Sequence, residues 1–256
     1  MYSFIEKCVK ESFQRTKLSP STLSTLSQNI YFIAKGFRAS LLIDYYLNEK
    51  QAKALVDNLR QKKECQELLL LQFTDRFTFI GHRSRLKEHY KSFEGIYVDI
   101  QGENPILLET IPEDVQQFIK TKLGPFLFND DKENILLIST LPSFMVSVTG
   151  WLLEYPIIYV CHHLNEEIID EWEPKKNCLG NRPLVWIRLD IKEKNQHGHS
   201  LLRFTYPVCI LPTQHDQQQL FEQLKMKYTS RLLSSSSPAY QLNIIQEIIS
   251  LDRVAI

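Results

Sequence analysis

The sequence predicts an α/β fold: a single domain with a mixed β-sheet and a central parallel βαβ unit flanked by helices. Three observations carry this reading. Strand-like and helix-like segments are interleaved along the 256 residues rather than segregated. The run 134–163, NILLISTLPSFMVSVTGWLLEYPIIYVCHH, sets two short apolar segments on either side of a helical spacing. A chain of this length can also bury one sizeable core without dividing.

In the central run, Ile135 to Ile138 is wholly apolar, as expected of a strand covered on both faces. Ser139 to Ser143 supplies hydroxyls to cap a helix, with Pro142 near its first turn. Phe144, Val148, Trp151 and Leu152 recur at helical spacing, and Tyr155-Pro156 closes the helix because a residue before proline avoids the α region. Ile157 to Val160 is the second apolar strand, and a crossover through one helix predicts a parallel, right-handed pair. The stretch Ile135–Leu153 has no charge and is long enough for a membrane span. Its hydroxyls and Pro142, with Pro156 just beyond, break a lipid-facing helix, so no membrane span is expected.

In chain order, residues 1–36 read as two N-terminal helices. The first sets Phe4, Ile5, Cys8, Val9 and Phe13 on one face; the chain restarts at Ser19-Pro20-Ser21, and Leu23, Leu26, Ile30, Ile33 and Ala34 continue with helical period to a C-cap at Gly36. Arg38 to Tyr46 is the first strand. Asn48 caps a helix reaching Lys62. Glu67–Phe73 and Phe77–Ile80 form a hairpin across Thr74-Asp75-Arg76. Arg83–Lys91 is a charged, helical surface segment, Ile96–Ile100 a strand, and Glu113–Leu123 a helix ending near Gly124-Pro125.

Beyond the central run, Asn165–Trp172 reads as a short acidic helix and 173–181 as a loop. Leu184–Ile191 and Leu201–Val208 read as antiparallel strands joined by a polar turn, and Gln214–Leu233 as a long helix. Residues 234–256 combine a serine joint with Tyr240–Ile249, whose apolar residues fit both helical and strand periods and are read as a closing edge strand.

Composition narrows the function. Lys plus Arg equals Asp plus Glu, so nucleic acid and anionic membranes are not expected as partners. The N-terminus carries acidic residues and lacks an apolar signal-peptide core. Five scattered cysteines suit reduced thiols in the cytoplasm or nucleus.

RASLLIDYY (38–46), VTGWLLEYPIIYV (148–160) and NCLGNRPL (177–184), in that order, resemble the animal family of the chromosome 1 open reading frame 74 protein, a domain of unknown function. The resemblance covers nearly the whole chain. It implies one domain and transfers no catalytic residue.

Motifs of known mechanism are missing: there is no GxGxxG, P-loop, GxSxG or HExxH, and no cysteine pair at zinc-finger spacing. No cofactor and no metal are expected. The one geometric case follows from the strands, because α/β sheets bind ligands beyond the carboxyl ends of parallel strands. Parallel strands at 41–44, 135–138 and 157–160 would gather Asp44 and His163 as catalytic candidates, with Ser139, Thr140, Ser143 and His162 as ligand-binding candidates. The bland alternative is that the serines cap a helix, Asp44 makes a turn bond and the histidines face solvent. Cys161 with His163, and His197-Gly198-His199, each offer at most two metal ligands. Arg83, Arg85, Lys87, His89 and Lys91, with Tyr90 and Phe93, would suit RNA or simply a solvated helix face. Asp130-Asp131-Lys132-Glu133 lacks the glycine and distal glutamate of a calcium loop.

The leading expectation is a non-catalytic macromolecular interaction domain with an unknown protein partner. The alternative is a hydrolase or phosphate-ligand-binding protein using a crevice at the carboxyl ends of the parallel strands.

Overall fold

The computed structural model describes residues 1–14, 18–92, 95–129, 133–161, 177–193, 198–234 and 240–254. The expected acidic helix 165–172, His162, His163, Phe93, Asp130, Asp131 and Lys132, the serines 235–237 and His197 lie outside the described residues. The chain is α/β and packs as two compact units. Unit 1 comprises Met1–Phe93, Gln116–Pro142 and Leu152–Glu154; unit 2 comprises Glu94–Val115, Ser143–Trp151 and Tyr155–Ile256.

Unit 1 is a mixed sheet with helices. Its strands are β1 (Ser40–Ile43), β2 (Leu68–Phe73), β3 (Phe77–His82) and β6 (Ile135–Ile138), in the order β1-β3-β2-β6. β3 is antiparallel to both neighbours, and β6 is parallel to β2. Helices α1 (Tyr2–Ser12), α2 (Pro20–Ala34) and α3 (Glu49–Arg60) lay their apolar stripes on one face, where Leu41, Ile80 and Leu70 sit in register. Ile5, Val9, Ile30, Ile33, Leu55 and Leu59 fill this core without solvent contact or nearly so. The opposite face carries buried Leu69, Leu71, Phe73 and Phe79.

Local chemistry sets the helix limits. Ser19 and Asn48 cap α2 and α3 through their side chains, and Asn48 forms a reciprocal capping box with Gln51. Gly36, with φ +69°, ends α2, and the Phe37 N–H bonds back to the Phe32 carbonyl. α4 (Arg83–Ser92) starts on Glu67, whose Oε2 accepts from the Ser84 N–H and hydroxyl at 3.2 and 2.6 Å. α5 (Glu113–Phe118) leads into a π-helical turn, Ile119–Leu123, and then α6 (Gly124–Phe128). The helical path therefore continues past Gly124-Pro125, where the sequence suggested an end. Proline lacks an N–H, and at the first turn of α6 none is required.

Unit 2 holds two three-stranded sheets. One is β5 (Ile106–Leu107), β4 (Ile96–Asp99) and β7 (Ile157–Val160), with β7 parallel to β4. The other is β10 (Tyr240–Ser250), β8 (Pro183–Glu193) and β9 (His199–Pro207), wholly antiparallel. α8 (Gln214–Ser234) contributes Leu220, Leu224 and Tyr228 to the interior. In α7 (Met145–Leu152), Ser147 donates to the Tyr159 carbonyl at 2.9 Å and Gly150 lies against Ile158.

The strand–helix–strand at 135–160 forms as segments but not as a crossover within one sheet. β6 pairs with β2 and β7 with β4, in different sheets. Nor is β6 covered on both faces: as an edge strand it is half-buried, with Leu137 exposed. An apolar quartet is satisfied by any parallel neighbour, so its composition alone does not select the partner. α7 stops at Leu152, four residues before Pro156, because Glu154 turns left-handed at φ +56° while the Tyr155 N–H bonds back to the Gly150 carbonyl. The Glu154 carboxylate is buried and accepts from the Ala39 N–H at 3.1 Å.

Candidate functional site

β1, β2 and β6 point the same way, so Asp44, Ser139 and Thr140 share one end of the unit 1 sheet. They are not adjacent there. β3 and β2 lie between β1 and β6, which puts Asp44 and Ser139 three strand spacings apart, about 14 Å. All three residues are exposed. Ser143 belongs to unit 2, at the approach to α7, and β7 ends at Val160, followed by buried Cys161.

Buried polar contacts hold this end of unit 1 together. Gln72 on β2 is buried, and its Nε2 donates to the Leu47 carbonyl at 2.8 Å and to Thr78 Oγ1 at 2.9 Å. The loop carrying Asp44 is thereby tied to the middle of the sheet. Desolvation by partial burial of the carboxyl raises Asp44 above its ordinary value although the residue as a whole is exposed. Tyr46 is exposed and its hydroxyl reaches Asp75 at 3.4 Å. Between the two ends of this rim the arrangement offers a carboxyl of raised basicity on one side and two hydroxyls on the other.

The basic cluster on α4 is largely engaged. Arg83 donates to the Phe126 and Leu127 carbonyls at 3.1 and 3.0 Å, closing the C-terminus of α6. Arg85 pairs with Glu88 and donates to the Gly36 carbonyl. Lys87 and Lys91 sit over the Phe128 ring, at 5.3 and 6.0 Å from its centroid, and His89 is buried. Beside them an open pocket of 480 Å³ is lined by Lys122, Phe126, Phe128, Glu133 and Leu136.

Unit 2 is different in kind. Met226 and Leu233, two turns apart on one face of α8, are 65% and 80% exposed, and Ile248 on β10 is 68% exposed. The helical period places Phe221, Leu224, Tyr228 and Leu232 inward; Leu224 and Tyr228 are buried while Phe221 and Leu232 are only half-buried, and the period gives no reason to expect apolar residues on the outer face. The available signal was in β10: Leu242, Ile244 and Ile248 share one parity, Ile245 and Ile249 the other. A strand apolar on both faces needs cover on both.

Among the described residues, no group of three or more His, Cys, Asp or Glu could hold a metal ion, and no helix is long and apolar enough to cross a membrane. All five cysteines are free thiols. Burial pushes the Cys65 thiol up to about 11 and the Tyr97 and Tyr206 phenols up to about 12, so none of these is a poised nucleophile or acid near neutral pH.

A family described as a domain of unknown function, DUF4504, matches residues 7–256. The chain belongs to that family. The DUF4504 match takes in both units, including the long strand β10. Neither a curated protein nor a solved structure matches this DUF4504 chain.

Proposed function

We propose that this DUF4504 chain is a non-catalytic macromolecular interaction domain. One observation carries the reading: large apolar side chains stand exposed on α8 and β10 of unit 2, at Met226, Leu233 and Ile248. Single exposed apolar residues are ordinary, but a two-turn pair on one helix face together with a long edge strand is what a protein-binding surface presents. The engaged state of the α4 cations and the zero net charge support a protein partner over nucleic acid.

The test is in-cell crosslinking followed by affinity capture of the full chain. The captured partner is expected to be lost with Met226→Asp/Leu233→Asp and kept with Asp44→Asn. Capture indifferent to the double substitution would overturn the reading.

The alternative, a hydrolase or phosphate-ligand binder at the unit 1 sheet end, has one specific observation behind it, the raised carboxyl of Asp44. On that reading Asp44 and His163 would act in catalysis, and Ser139, Thr140, Ser143 and His162 would hold the ligand. The separation of about 14 Å between Asp44 and Ser139 counts against it, since proton transfer needs hydrogen-bond reach. A thermal-shift screen with nucleotides and phosphate esters tests it: a ligand at a hundred times its Kd stabilises by about 2.7 kcal/mol, and Asp44→Asn would abolish that shift.

Within the family, VTGWLLEYP and NCLGNRPL support grouping the chain with the chromosome 1 open reading frame 74 protein of animals. Residues 1–256 are proposed to fold as one domain, because the chain passes between the units at 93/94, 115/116, 142/143, 151/152 and 154/155. Five free cysteines, three of them buried, support a reducing compartment, cytoplasm or nucleus.

A further inference from the structure

We infer that β10 is a homotypic interface: two copies of the chain join through antiparallel pairing of their β10 strands. This names the partner for one part of the interaction surface proposed above and rests on that reading.

β10 runs for eleven residues and pairs with β8 along its whole length without a register break; the irregularity of that sheet lies between β8 and β9. In the strand order β10-β8-β9 it is an edge, so alternate backbone N–H and C=O groups point away from β8. Among the described residues no strand takes them up. Natural sheets guard such edges with proline, lysine, bulges or very short strands. β10, YQLNIIQEIIS, has no proline, no lysine or arginine and no bulge, and Glu247 is its single charge. The edges of the unit 1 sheet, β1 and β6, are only four residues each.

The second copy is favoured by self-complementarity. A two-fold axis at Ile245 gives the register that pairs all eleven residues. It places Leu242 opposite Ile248, Asn243 opposite Glu247, Ile244 opposite Gln246 and Tyr240 opposite Ser250. Glu247 therefore meets an amide rather than its own mate, and like charges never face each other. The most exposed apolar residue of the strand, Ile248, gains an aliphatic neighbour. Gln246 reaches Gln217 on α8 at 3.4 Å, so Leu242, Ile244 and Ile248 lie on the α8 face of the strand. The two-fold is perpendicular to the sheet, which sets α8 of both copies on the same side and merges the two three-stranded sheets into one. The contact is isologous and closes at two copies, so it does not propagate into a filament.

The test uses the full chain in sedimentation velocity across the micromolar range. Wild type is expected at twice the chain mass, and Ile248→Lys, at a solvent-exposed position, at the chain mass with an unchanged far-UV spectrum. A second measurement reads the register in a Cys209→Ser background. Ile245→Cys faces itself across the two-fold and is expected to give a disulfide-linked dimer when oxidised by glutathione disulfide, two thiols yielding one disulfide and two glutathione thiols. Gln241→Cys, whose two thiols would stand roughly 27 Å apart, is expected not to. Wild type sedimenting at the chain mass, a dimer that survives Ile248→Lys, or crosslinking at Gln241→Cys but not at Ile245→Cys would each overturn the inference. If the chain is monomeric while partner capture through Met226 and Leu233 persists, the β10 pairing fails and the interaction reading stands. If capture is also indifferent to those positions, both fail.

Discussion

The sheet of unit 1 and the β8–β9–β10 sheet of unit 2 handle their edges in opposite ways. Unit 1 ends in strands of four residues and holds its interior with a dense aliphatic core and the buried amide of Gln72. Unit 2 ends in an eleven-residue strand with exposed isoleucine, beside a helix with exposed methionine and leucine. The difference teaches where to look for stability and where for recognition. A short edge offers few unpaired backbone groups, whereas a long unguarded one is a template for another strand.

The comparison can be broken or sharpened by substitution. The largest expected effect is in unit 1: Leu70→Ala, fully buried at the centre of the sheet, should cost about 2–5 kcal/mol in denaturant unfolding. Its counterpart in unit 2, Met226→Ala on the outer face of α8, should stay within about 0.5 kcal/mol. Equal losses at the two positions would erase the contrast. Next comes Gln72→Leu, which leaves the Leu47 carbonyl and Thr78 hydroxyl without their donor and should cost about 1–3 kcal/mol, read from the same unfolding curves. Asn48→Ala removes the cap of α3 and should cost about 1 kcal/mol, with loss of helical ellipticity on heating.

The smallest effects are in pH dependence and have opposite signs at two carboxyls of unit 1. Burial pushes the Glu67 carboxyl up, but the Ser84 hydroxyl and N–H, with the charges of His82 and Arg83, outweigh it and leave its pKa below the ordinary glutamate value. The unfolded chain then binds the proton first, so Glu67 stabilises fully above the ordinary glutamate range, and this contribution is lost as pH falls below it. Glu67→Gln should melt below wild type at neutral pH and converge with it in acid. Asp44 is raised by desolvation, so its ionised form disfavours folding. Asp44→Asn should melt above wild type at neutral pH, with the gap closing as pH falls through the folded pKa.

Local structure was legible wherever a residue acts through its own backbone. Ser19, Asn48 and Gly36 set helix limits by capping chemistry, and Thr74-Asp75-Arg76 turned the β2–β3 hairpin as read. The ambiguous segment 240–249 became an edge strand, because β8 supplied a full-length partner that no local period could reveal. The candidate site was legible only in part. Asp44, Ser139 and Thr140 reach the same sheet end, since the direction of each strand follows from its order and connections. Their separation was not readable, because it depends on which strands intervene.

The sequence by itself determined the α/β class, the limits of most helices and strands, and the absence of the familiar catalytic motifs, all properties of residues acting over a few neighbours. Only the tertiary structure decided that Ile135–Ile138 and Ile157–Val160 join different sheets, that Gln72 fastens the loop after β1, and that Ile248 on β10 and Met226 and Leu233 on α8 stand exposed. Those features depend on long-range pairing, where many apolar strands are equivalent partners and the choice is made by packing of the whole chain.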